Sequence, residues 1–200
     1  MNKKFIRMAI FIFIAVVAII TIMHSFVLGR GFHVNWSISR YMGTDFWSAI
    51  VFCLANFVVA VMTLKYLFTV KREYGLSPIF VILAVIMTAL FISLSVFPVG
   101  LFDETWGNFG LVSHLHRGSS YTLFAFLILL TLDLMIEVRK GLVMHLFGAA
   151  AVALSLFCVV SFFAGWDFFN DYMYIFESGY VLMNLVFYSL IPRKNSPSLV

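Results

Sequence analysis

Two hundred residues that are 63% apolar and 11% charged, with a mean hydropathy of +1.05, leave too little polar surface for a water-soluble domain. The net charge of +4 gathers beside the ends of apolar runs, a pattern that reports membrane orientation and speaks against a nucleic-acid partner. Two cysteines, Cys53 and Cys158, both inside apolar segments, form no disulfide framework and act there as small hydrophobes.

The chain begins with Lys3, Lys4 and Arg7 ahead of an apolar stretch. This resembles a secretory signal without a small-x-small cleavage site, and it reads as a retained first helix. A hydrocarbon core of about 30 Å takes roughly 20 helical residues, and six segments have that length. In order they are Phe5 to Leu28, Phe46 to Phe68, Pro78 to Phe97, His116 to Ile136, Leu142 to Phe163 and Tyr172 to Ile191. A lone span must satisfy its backbone internally, so each is predicted to be helical, giving an all-α polytopic transmembrane bundle of six helices in one domain, residues 1–200. Pro78 suits a first helical turn, Gly75 and Gly141 suit tight turns, and Pro192 marks the end of the last helix.

Lys3, Lys4, Arg7, Lys71, Arg72, Arg139, Lys140, Arg193 and Lys194 all fall on one side of a six-span arrangement, with Lys65 able to snorkel to it. Arg30, Arg40 and Arg117 fall on the other. The positive-inside bias then predicts cytoplasmic N and C termini in the cell membrane, with the longer connections, Gly29 to Asp45 and Pro98 to Leu115, outside. Trp36, Trp47, Trp106 and Trp166 lie on that outer side, where an aromatic belt accounts for them.

Glu177 is the most informative residue, because a carboxylate a turn and a half into an apolar span must be neutral, paired or wetted. Asn170, Tyr174, Glu177, Val181, Asn184 and Tyr188 recur at spacings of three and four, so this mostly polar stripe should face the bundle interior. Donors expected at its depth are His116, Arg117, Arg40, Tyr121 and the tyrosines of its own helix, with Arg40 or His116 favoured. His114 and His116 could hold a metal only on extended backbone, since residues two apart on a helix diverge. Asp103, Glu104 or Asp45 could complete a carboxylate–histidine set, with His116 as base or ligand and Glu177 orienting it, or could simply pair with loop arginines. Asp133 and Glu137, beside Arg139 and Lys140, read as an interfacial charge cluster. Gly148, Ala151, Ser155 and Cys158 form a small-residue face in helix five, and Ser48, Asn56 and Thr63 share a face of helix two, both more in keeping with packing seams than with pathways. His24 and His145 sit at opposite depths and would not sandwich a haem. A phosphate loop, a Gly-x-Ser-x-Gly elbow, a His-Glu-x-x-His motif and a retinal lysine are lacking in the sequence, and no cofactor is expected.

Ser37-Ile38-Ser39-Arg40-Tyr41-Met42-Gly43 before span two, Phe97-Pro98 closing span three and Leu115-His116 opening span four carry a resemblance. Over Ser37 to Tyr121 the chain resembles a broad group of six-helix membrane proteins. Its bacterial members form a family of unknown function, and its eukaryotic relatives include the damage-regulated autophagy modulator proteins. The resemblance implies a six-helix bundle with a structured outer face and no established reaction. Three readings follow: a non-catalytic protein that binds membrane lipids or another membrane protein, an enzyme acting on a lipid or envelope substrate at the outer leaflet, and a small transporter or channel.

Overall fold

The structure is a computed structural model that describes residues 3–35, 38, 41, 46–96, 109–139 and 141–194, without the side chains of 109–114, 117, 162, 169 and 170. Among these residues the secondary structure is helical throughout. Helix α1 spans Lys4–Ile22 and runs on as a π-helical turn, Met23–Val27. Helices α2 (Phe46–Tyr74), α3 (Pro78–Val96), α4 (Phe109–Glu137), α5 (Leu142–Ala164) and α6 (Met173–Leu190) follow, with a short helical turn, Asp167–Asp171, leading into α6.

The first five long helices are long and apolar enough to cross a membrane. The sixth has 18 residues, rising about 27 Å, and its polar Glu177 and Asn184 are turned inward. The bundle is apolar on its outside as well as in its core: Phe11, Leu54, Ile79, Ile136, Leu146 and Phe163 are all exposed. A water-soluble monomer rarely leaves so much contiguous apolar surface uncovered, whereas lipid is a good solvent for it. The chain is a multi-pass membrane protein, a polytopic bundle of six helices.

Each helix packs on its neighbours in sequence, and α1 closes on α6. Short turns enforce the antiparallel order. Gly75, at φ +72°, ends α2, and the Leu76 N–H reaches back to Lys71 O at 3.2 Å. Ser77 then caps α3 by accepting from the Phe80 N–H, with Pro78 in the first turn, where its missing N–H loses no bond. The Glu137 carboxylate at the end of α4 accepts from the Ser77 N–H, so this charged residue ties two turns together. At the same end Lys3 Nζ donates to Ser189 O, Tyr74 Oη to Pro192 O, and the Lys194 N–H to Glu73. Lys3, Lys4, Arg7, Lys71, Arg72, Arg139, Arg193 and Lys194 therefore share one end of the bundle.

The small face of α5 is a packing seam: Gly148, Ala151, Ser155 and Cys158 are all buried. Gly148 is there because nothing larger fits, since a Cβ on it would stand 2.6 Å from Met135 Sδ of α4 and 2.8 Å from Phe187 Cε2 of α6. Two helices run further than the sequence reading places them. Helix α2 continues to Tyr74 rather than ending at Phe68, and α4 starts at Phe109, seven residues before His116.

Candidate polar site between the helices

The three- and four-residue spacing along α6 turns Glu177, Val181, Asn184 and Tyr188 toward the other helices, as the stripe predicts. Near the end of the bundle away from the basic residues, Glu177 walls a cavity of about 70 Å³. His116 and Ser120 of α4 and Asn56 of α2 wall it too, and Phe13, Phe52, Phe91, Phe124 and Tyr180 supply most of the apolar lining. His116 is 8% exposed, and Ser120, one turn on, donates to its carbonyl at 2.9 Å. The pair shares a face because residues four apart on a helix do so. Helix α5 contributes no described lining residue.

Glu177 meets a main-chain donor. The Ile38 N–H donates to Glu177 Oε2 at 2.8 Å, across 139 residues of sequence. The side-chain donors expected for it stand as follows: His116 shares its cavity, Tyr121 does not, and Arg40 and the Arg117 side chain lie outside the described residues. The Tyr121 ring instead packs on Phe163 of α5, centroids 5.3 Å apart, because it sits about 100° round the helix from Ser120. Asp45 and Asp103 lie outside the described residues, as does the His114 side chain. The backbone of His114 and His116 is helical, not the extended run on which the sequence reading lets the pair hold a metal. Among the described residues no three His, Cys, Asp or Glu side chains cluster as a metal set.

The connection from α1 to α2 covers α6 beside this cavity. Val34 O accepts from the Tyr174 N–H at 3.1 Å, and Thr21 Oγ1 lies 2.7 Å from Tyr174 Oη. Tyr41 is fully buried between the rings of His24 and Tyr174, at 5.0 and 5.4 Å, both edge-on. Its hydroxyl bonds to both the N–H and the carbonyl of His33. Burial pushes the Tyr41 phenol above its ordinary value, the bond to the His33 backbone opposing this. The π-helical turn widens α1 by one residue where His24 and Ser25 turn inward, both buried. Sequence reasoning missed this aromatic knot and the Ile38 amide.

Below the cavity lies a second of about 30 Å³, walled by Thr63, Asn184 and Tyr188 and sharing Phe91 and Val181 with the first. Thr131 Oγ1 donates to Asn184 Oδ1 at 3.2 Å, and Asn184 Nδ2 donates to Tyr180 O at 2.8 Å. Polar groups thus continue down the inner face of α6, the Thr131–Asn184 bond joining it to α4. Compared with protein-family models, with curated proteins and with solved structures, the chain gives no match.

Proposed function

We propose that this is a non-catalytic membrane protein that binds a lipid, or a helix of another membrane protein, through the polar cavity at the extracytoplasmic end of its bundle. Both termini then lie in the cytoplasm and the bundle in the cell membrane, on the strength of the basic residues gathered at the opposite end. Membership of the six-helix group that residues 37–121 resemble belongs to the same proposal.

The observation that carries the reading is that Glu177 and His116, from two different helices, wall one cavity otherwise lined largely by aromatic and aliphatic side chains. A space of about 70 Å³ takes a few atoms only, so the occupant is the polar tip of a larger ligand, a hydroxyl or amine. Glu177 would fix such a group by a hydrogen bond for which water does not compete in hydrocarbon, with His116 on the wall beside it. The enzyme reading draws on the same pair, a carboxylate and an imidazole facing one space, as acid–base chemistry requires.

The test is native mass spectrometry of the protein extracted in mild detergent, scoring retained lipid. Ser120→Leu, which fills the cavity, and Glu177→Gln are expected to lose it, while Thr122→Leu on the exposed side of the same helix keeps it. Equal retention in all three removes the cavity as the site. Turnover of the retained lipid by wild type, abolished in Glu177→Gln, decides for the enzyme.

A further inference from the structure

At the opposite end of the bundle, the first turn of α1 and the segment following α6 bring four cations to one cleft. Lys3, Lys4 and Arg7 come from the first, Arg193 from the second, and Met8 and Phe11 complete the lining. Its volume, about 480 Å³, is that of a ligand-sized site. The cations crowd one another. Lys3 is held below the ordinary lysine value by burial first and then by the positive charges of Arg7 and Arg193, with Glu73 acting the other way. Lys3 is also anchored, its ammonium donating to Ser189 O at 2.7 Å and so fixing the wall between α1 and α6.

The apolar half of the cleft points away from the protein. Phe11 is 73% exposed and Met8 39%, one turn and less beyond Arg7 on the helix that enters the membrane. A ligand that satisfies both halves carries a phosphate anion at one end and hydrocarbon at the other, lying along the helix. Soluble phosphates would leave Phe11 and Met8 uncovered, and neutral lipids would bring no net negative charge to a cleft lined by four cations.

We propose that this cleft is a binding site for the headgroup of an acidic phospholipid of the adjacent leaflet, its phosphate held among Lys3, Lys4, Arg7 and Arg193 and its chains against Met8 and Phe11. The site rests on the membrane-spanning fold and not on the cavity beside Glu177, so the two readings stand or fall separately.

The experiment uses the full chain in a neutral detergent, following thermal unfolding and bound mass on addition of dioctanoyl phosphatidylglycerol, dioctanoyl phosphatidylcholine or glycerol 3-phosphate. Phosphatidylglycerol is expected to raise the melting temperature saturably and to remain bound, and the other two to do neither. The double variant R7Q/R193Q should weaken binding at least tenfold, whereas K71Q/R72Q, which removes two cations from the same end outside the cleft, should leave it within twofold. Phe11→Glu, a change at an exposed position that places a carboxylate at the mouth, should abolish it even if R7Q/R193Q does not fold. Equal response to phosphatidylcholine, an equal shift by glycerol 3-phosphate, equal loss in K71Q/R72Q, or full binding by Phe11→Glu would each overturn the proposal.

Discussion

Replacing Gly148 by Ala tests a close approach of α5 to α4 and α6. In an isolated helix this change is favourable by about 1 kcal/mol, because glycine is the poorer helix former. Here the new methyl would stand 2.6 Å from Met135 Sδ and 2.8 Å from Phe187 Cε2. The thioether of Met135 is flexible and half-buried and can swing away, but the Phe187 ring is fully buried and has nowhere to go without moving α6. Overpacking of this kind costs about 1–3 kcal/mol, which outweighs the helix gain and leaves a net loss of up to about 2 kcal/mol. On the scale of soluble domains of similar length that is a fall of roughly 4–8 °C in melting temperature, measurable by the loss of helical circular dichroism in detergent. Two other helical glycines serve as controls. A Cβ at Gly118 meets nothing within 4 Å, and one at Gly179 meets only Leu154 Cδ2 at an ordinary 3.8 Å, so alanine at either should be neutral or stabilising. If all three alanine variants melt alike, α5 does not approach α4 and α6 as closely as described.

Ser155, fully buried on the same seam, should not tolerate Phe, while Val160, half exposed on α5, should; equal folded yields in membranes would remove the seam. Glu177→Gln keeps an acceptor for the Ile38 N–H and should melt within about 1 kcal/mol of wild type, whereas Glu177→Leu strands that amide and should lose about 1–3 kcal/mol. Equal stability of the Gln and Leu variants would show that the bond contributes nothing. Reporters fused after Val200 and inserted at Gly31 should report opposite sides of the membrane, the first cytoplasmic, and a shared side would contradict the six-span order.

The helices were legible because each had to satisfy its own backbone in lipid, and the turns at Gly75 and Gly141 were legible because each glycine takes up a positive φ. The inward face of α6 was legible for a related reason: Glu177 and Asn184 are expensive in hydrocarbon and fall seven residues apart, two helical turns, on one side. The helix ends were not. Gly110, Ser113 and His114 read as loop, yet α4 already includes them. Lys71 and Arg72 read as the turn beyond a span ending at Phe68, although both are good helix formers and α2 runs on until Gly75 stops it. The partner of Glu177 was hidden for another reason. Every residue but proline carries a main-chain N–H, so nothing in the letters distinguishes Ile38 as the donor. Tyr121 stands about 100° round α4 from Ser120, against Phe163 and off the cavity wall.

The closure of α1 on α6 has a consequence for biosynthesis. The surface of α1 that ends up against α6 emerges from the ribosome long before its partner, and Ile38 precedes Glu177 by 139 residues. At ordinary rates of synthesis that is a wait of roughly 7–30 s. Throughout it the helices already made must be held in the membrane as an open and growing crescent, with Phe13 and Tyr41 lacking their neighbours from α6. Helix α6 is also the least willing of the six to leave the insertion machinery for lipid alone, given Glu177 and Asn184. Its insertion is therefore coupled to capture by that crescent. A chain released before α6 is made would present an unfilled groove to quality control, and the nascent protein should engage a membrane chaperone at that stage for longer than its modest size suggests.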